Sequence, residues 1–311
     1  MSNIIPEDRH RQVLKKCIDV PEEAPAVPLQ LQKVGISGKT VWIRLVGNSG
    51  GHLPFSAAIH VNLASDRRGI HMSRIEQAIT SLYDEEFTSL PEYGQQLASL
   101  ILQAQKAQFV SVELSGSLPF IQEAPISRLK SIDSLGVIFK TELKKNRNSE
   151  KQNNKVGVEV YHLTACPCTL AYNEALFDRP HDPSPQSTHS QRSKTRLLVS
   201  LPEVKLLPAY PDLAGILGSV LHLSHDLLKR PDETELVLKA HCCPQFAEDT
   251  VREVARAAGE KFRDSLPTET RILVYTLSLE SIHLHDVECF LDMQLGDIVK
   301  LLQAAQKERA G

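Results

Sequence analysis

Apolar positions recur along this chain with two periods. Strict alternation marks strands. Val41, Ile43 and Leu45 interleave with Thr40, Trp42 and Arg44, and Val110, Val112, Leu114 and Val156, Val158, Val160 repeat the rule. His60 to Leu63, Leu135 to Leu143, Thr195 to Leu201 and Ile272 to Leu279 read as further strands. Stripes near a 3.6-residue period mark helices. Ile75, Ile79 and Leu82 share one helical face, and Ser73 with Glu76 has the spacing of a capping box, which predicts the helix start. Further helices are predicted over residues 93–107, 213–229 and 248–262; in the last, Val251, Val254 and Ala258 line one side.

Each half of the chain thus reads as two strands, two helices and two strands, without a close sequence repeat. Residues 1–28 carry Pro6, Pro21, Pro25 and Pro28 with little periodicity and predict an extended arm. Lys144 to Lys155 is polar and predicts a hairpin tip or a connection between modules. Asp178 to Ser193, rich in Pro, Ser, Gln and His, predicts a long loop. The organisation expected is an arm over 1–28 and two α+β units over 29–150 and 151–311.

Composition narrows the class. The chain has 311 residues, 41% hydrophobic and 23% charged, which argues against a disordered, collagen-like or disulfide-scaffold protein. A net charge of −3 leaves no electrostatic footprint for duplex nucleic acid or an anionic membrane, though a few local cations suffice for a small polyanion. No apolar run approaches the roughly 18–20 residues of a membrane span. Met1 to Lys16 has no apolar core of a secretory signal, so a reducing cytoplasm is expected, with the six cysteines as free thiols or metal ligands.

Candidate chemistry sits in short segments. Cys166-Pro167-Cys168 offers two thiols around a rigid proline. They suit one sulfur for a metal and one for a substrate, or two small fillers in a turn. In Glu280-Ser281-Ile282-His283-Leu284-His285-Asp286, a persisting strand would put His283 and His285 on one face, and Glu280 with His283 would converge on a metal if the backbone turned. Alternating histidines on an exposed strand are the plainer reading. Thr188-His189-Ser190-Gln191-Arg192 and Lys194 suit phosphate contact or acid–base work, or a solvated loop. Asp232 and Glu233 after Pro231 read as a helix cap. Cys242 and Cys243 read as packing residues, and Glu248 with Asp249 as helix-start chemistry. Gly69-Ile70-His71-Met72-Ser73-Arg74 enters the first helix, where backbone amides favour anions.

In combination these segments resemble one family. Gly69 to Arg74, His162 to Cys168, His189 to Arg192, Arg230 to Glu233, Pro244 to Arg252 and Glu280 to His283 occur in the order seen in prokaryotic type IB GTP cyclohydrolases, a likeness spanning Val34 to about Asp286. The resemblance implies two tandem tunnelling-fold modules, antiparallel sheets with helices on one face, in a homotetramer with interfacial active sites. It implies GTP as substrate, hydrolytic opening of the imidazole ring, release of formate and formation of 7,8-dihydroneopterin triphosphate. It implies a divalent metal, zinc or manganese, with iron in the archaeal branch. By position it makes Cys166, Glu233, Glu280 and His283 the metal ligands, and His189 a further ligand or base. It makes His71 and Cys168 catalytic or substrate-contacting, Glu248 the purine acceptor, and Arg192 and Lys194 triphosphate contacts. The stretch Phe177 to Thr188 looks like an insertion, and Cys242-Cys243 departs from the usual residues. Rival expectations are an archaeal-type enzyme ending at the 2′,3′-cyclic phosphate, another tunnelling-fold enzyme acting on a pterin or deazapurine, and a non-catalytic metal-binding assembly protein.

Overall fold

The computed structural model describes residues 4–47, 51–146, 149–177 and 186–310. The strands form one ten-stranded sheet, almost wholly antiparallel. In the first half, β1 (Leu31–Leu45) and β2 (His52–Leu63) pair as a hairpin. Then come α2 (Met72–Ser81), the short β3 (Glu86–Phe87), α3 (Leu90–Ala104), and the hairpin of β4 (Phe109–Glu123) with β5 (Lys130–Asn146). The second half runs β6 (Ser149–Ala165), α4 (Pro167–Leu176), β7 (Ser190–Leu201), α5 (Tyr210–Val220), β8 (His222–Leu223), α6 (Arg230–Cys242), α7 (Ala247–Phe262), β9 (Arg271–Ser278), β10 (Val287–Gln294) and α8 (Leu295–Ala310). The strand order β10-β9-β7-β6-β5-β4-β2-β1-β3 follows the chain except at its β3 end, where β3 pairs parallel with β1; β8 adds to β6.

The two halves share the helices-between-hairpins order read from the sequence, and β5 pairs with β6 from Gly136↔Glu159 to Asn146↔Ser149. The boundary expected at 150/151 therefore falls within β6, which pairs with β5 there, and one buried apolar cluster draws on both halves. Val41 and Ile43 are buried while Trp42 between them is 51% exposed. The same one-sided burial along the sheet lets α3 cover β4 and β5, α5 cover β6, and α7 cover β9 and β10.

Local chemistry explains some element ends. α3 starts where Ser89 accepts from Glu92 N–H at 3.3 Å and the Glu92 carboxylate accepts from Thr88 N–H at 2.7 Å. At α2 the expected Ser73–Glu76 box is not the cap. His71 occupies the cap position, and Glu76 pairs with Lys39 of β1 at 2.8 Å. Nor is residues 1–28 uniformly extended: α1 (Glu7–Leu14) lies between the prolines, with acidic Glu7 and Asp8 in its first turn and an Arg11–Glu7 pair at 3.2 Å. Much of the predicted loop from Lys144 to Lys155 is strand, with Lys144↔Lys151 and Lys145↔Glu150 paired across the hairpin. Of the loop predicted at 178–193, residues 190–193 belong to β7 and 178–185 lie outside the described residues. α4, α6, β10 and α8 had no counterpart in the periodicity. No described helix is long and apolar enough to cross a membrane.

Candidate active site

Three strands deliver the principal candidates to one end of the sheet. β6 finishes at Ala165, which pairs with Ser190 at the start of β7, and Ser193 of β7 pairs with Ser278 at the end of β9. Antiparallel register therefore places Cys166, His189 and the segment after Ser278 together. Cys166 N–H donates to His189 O at 3.1 Å, and Thr188 Oγ1 donates to Cys166 O at 2.7 Å. The His189 and His283 rings lie edge to face with centroids 6.3 Å apart. His283 and His285 stack at 5.2 Å; they sit in the turn between β9 and β10, not on a continuing strand. Glu280 N–H donates to Asp286 Oδ1 at 3.3 Å, which closes that turn.

The Cys166-Pro167-Cys168 segment is not extended. Cys166 precedes α4 with φ −81° and ψ 116°, Pro167 takes the first helical position, and Cys168 follows, exposed, inside the first turn. Proline suits that position because the missing N–H has no helical partner and the fixed φ is already helical. The two thiols therefore still have different surroundings: Cys166 Sγ has Thr169 Oγ1 at 3.7 Å.

Hydroxyl groups to which the sequence assigned no role support this end of the sheet. Buried Ser278 donates to Glu280 Oε1 at 2.9 Å; Ser193 donates to Ser278 at 3.2 Å, with Thr164 2.9 Å from Ser193. One rung along, His162 Nε2 lies 2.8 Å from Thr195 Oγ1, itself 2.8 Å from Thr276. Burial pushes His162 down to about 4, so it stays neutral at physiological pH and belongs to this internal ladder. The sequence signal was small hydroxyl residues at positions where alternation calls for apolar ones. Gln191, inside the His189 to Arg192 segment but given no role there, places Oε1 3.2 Å from His189 Nδ1.

Other candidates lie farther out. Glu233 is exposed in the first turn of α6. No hydrogen bond or ion pair joins it to Cys166, Glu280 or His283 among the described residues. Its neighbour Asp232 is buried and carries the cap function: it accepts from Lys229 N–H at 2.9 Å and also from Ile126 and Ser127 of the β4–β5 connection at 2.9 and 2.8 Å. No three of Cys166, Glu233, Glu280 and His283 have ligand atoms all within 4.8 Å of one another; among the described residues the set that does is Asp19, Glu22 and His71. Cys242 and Cys243, read as packing residues, are exposed at the end of α6.

The charged candidates also separate. Arg192 and Lys194 both sit over the Tyr161 ring, at 5.1 and 5.6 Å. Lys194 is paired with Glu159 at 2.7 Å, whereas Arg192 has no ion-pair partner among the described residues, so it holds the charge available to an anion. Arg192 and Tyr161 line a cavity of about 540 Å³ where β5 and β6 diverge, opposite Phe120, Gln122, Asp133 and His225. His225 Nδ1 is 3.5 Å from Asp133. Glu248, near the start of α7, is exposed and has no hydrogen bond or ion pair among the described residues, because Asp249 takes the helix-start role by accepting from Phe246 N–H at 3.2 Å. Burial, then the charge of Glu248, raises the pKa of the Cys289 thiol on β10.

Relatives agree with this reading at the family level. GTP cyclohydrolase MptA of Methanobrevibacter smithii is 26% identical over 305 residues, covering 92% of this chain and 98% of that protein. GTP cyclohydrolase MptA of Methanocaldococcus jannaschii is 28% identical over 302 residues, with coverage of 90% and 96%. The enzyme of the same name from Korarchaeum cryptofilum is 30% identical over 293 residues, with 93% and 96%. Among solved structures, a uricase from Bacillus fastidious gives a TM-score of 0.49 at 9% identity, covering 86% of this chain and 95% of that one. The resemblance read from the sequence holds for a GTP cyclohydrolase; the matching descriptions are folE2 and MptA, and neither carries the type IB designation expected above. With residues 17–288 matching the model described as type I GTP cyclohydrolase folE2, the chain belongs to that family.

Proposed function

We propose that this protein is a metal-dependent GTP cyclohydrolase that hydrolytically opens the guanine imidazole ring, releases formate and forms 7,8-dihydroneopterin triphosphate. The observation that carries the reading is the convergence of Cys166, His189, Glu280 and His283 at one end of β6, β7 and β9 in a chain of this family. A thiol, imidazoles and a carboxylate form a donor set that suits zinc, manganese or iron, so the residues fit a divalent ion. Cys166, Glu280 and His283 would hold it, with Glu233 reaching in from α6. The bound ion supplies acidification of water for addition at C8.

The remaining work falls to side chains. With Gln191 Oε1 accepting from Nδ1–H, His189 keeps Nε2 as its acceptor, free to serve as base or ligand. Exposed Cys168 meets the substrate side. Unpaired Arg192 is the better triphosphate contact, Lys194 being already neutralised by Glu159. Glu248, with a free carboxylate, accepts the purine N–H donors. The uncovered sheet face, with Trp42 51% and Phe290 64% exposed, supports assembly into a homotetramer. A second reading keeps the same site and ends at the 2′,3′-cyclic phosphate.

Formate release and pterin mass, measured with GTP and zinc, manganese or iron(II) on the purified protein, test the function and separate the two products. No formate with any metal would refute it. Chelation is expected to abolish activity while circular dichroism stays native, because an open catalytic site is not what holds this core together. Unfolding on metal removal would contradict that. Glu248→Gln is expected to weaken GTP binding while metal content is unchanged, since an amide turns an N–H toward the purine donors in one orientation. Metal loss with normal nucleotide affinity would make Glu248 a ligand instead.

A further inference from the structure

Residues 19–23 are strapped across the loop that opens α2. Pro21 O accepts from the N–H groups of Arg68 and Gly69, both at 3.2 Å. Glu23 pairs with Arg68 at 3.3 Å, and Glu22 with Arg67 at 3.0 Å and Arg74 at 3.8 Å. The strap brings carboxylates to one imidazole: His71 Nε2 lies 3.1 Å from Glu22 Oε1 and 3.8 Å from Asp19 Oδ2. From the inner side, buried Gln105 clamps the backbone of the same residue. His71 N–H donates to its Oε1 at 3.2 Å and its Nε2 donates to His71 O at 2.7 Å. The His71 side chain is 13% exposed, its backbone held by Gln105 and its ring by the carboxylates of the strap.

A carboxylate accepts and cannot donate. The ring nitrogen facing Glu22 must therefore carry the hydrogen, and in the neutral imidazole this leaves the lone pair on Nδ1. We propose that Glu22 is a positioning residue: from the N-terminal arm it fixes His71 in the Nε2–H tautomer and so makes Nδ1 the atom that takes up or hands on a proton in the reaction. This rests on the reading of His71 as a reaction residue. A cation shared by Asp19, Glu22 and His71 is the competing use of the cluster. Arg67 and Arg74 oppose it, because their charges already lie within 4 Å of Glu22 and would repel an added ion. The hydrogen bond from His71 is also the leading cause that lowers the Glu22 pKa, so the acceptor is ionised at neutral pH.

The test uses the full-length, metal-loaded protein. Nitrogen-15 shifts of the His71 ring, assigned with His71→Ala, should show hydrogen on Nε2 and a bare Nδ1 in the neutral imidazole. Glu22→Ala should mix the tautomers and lower kcat on the order of 10–100-fold, the range of outer-sphere orienting groups, with KM changed little. Glu22→Gln keeps an acceptor oxygen and should restore the tautomer and most of the turnover. Glu23→Ala removes only the Arg68 pair and should leave kcat as it was. Hydrogen on Nδ1 in the unsubstituted protein, or unchanged kcat in Glu22→Ala, overturns the inference alone. Full turnover by His71→Ala overturns instead the placement of His71 in the reaction, and this role of Glu22 with it.

Discussion

Cys166→Ala is expected to lose bound metal and turnover together, whereas Cys168→Ala keeps the metal and loses turnover. Cys166 stands before α4, its backbone tied to His189 and Thr188. It is thus fixed beside the His189–His283 pair before any ion arrives, and its thiolate is a strong ligand for a divalent ion. Loss of an outer-sphere partner already costs about 10–100-fold in metal affinity or activity, so loss of a directly bound thiolate should exceed that. Cys168 lies in the first helical turn and is exposed, so its removal leaves the Cys166 surroundings intact. Metal content of the two purified variants, with kcat and KM for each, decides between them. Equal metal loss in both would require a site using two thiolates.

Asp232→Ala should be the most damaging substitution outside the reacting groups. The buried carboxylate caps α6 and at the same time takes the Ile126 and Ser127 N–H groups across the fold. Alanine leaves three backbone donors without their acceptor and frees the helix that carries Glu233. The unfolding midpoint should fall by several degrees at pH 7, and activity should fall with it if Glu233 serves the site. The pH dependence has a definite sign. Burial alone would raise this carboxyl, but hydrogen bonds from Ser127, Lys229 and Ile126 overcome it and hold the group well below its ordinary 3.8. A carboxyl depressed in the folded state contributes stability that is present above its unfolded pKa and lost as pH falls below it. The gap in midpoint between the parent protein and Asp232→Ala should therefore be full at neutral pH and shrink on acidification below about 3.8. Thermal unfolding at pH 7 and pH 3 measures both, and a gap independent of pH would show that the charge of Asp232 is not what matters.

The sequence by itself determined most of the long strands, the buried faces of α2, α3, α5 and α7, and the family. Alternation at Val41, Ile43 and Val156, Val158 and the stripe through Val251, Val254 and Ala258 follow from backbone geometry that repeats every few residues, so they are written locally. The family motifs could be read because the reacting groups sit in short runs. What the tertiary structure decided depends on residues far apart. The meeting of Cys166 with His189 and His283 comes from the register of β6, β7 and β9, which no local pattern encodes. Pro167, whose fixed φ suits an extended chain as well as a helix start, takes the first position of α4, which its own residue type did not decide. Asp232 looked like an ordinary cap until the β4–β5 connection was found bonded to the same carboxylate. The prolines of the N-terminal arm gave no sign that Glu22 reaches His71. That contact requires the arm to fold back across the loop before α2, and the gain that holds it there is made of hydrogen bonds and ion pairs between segments distant in the chain.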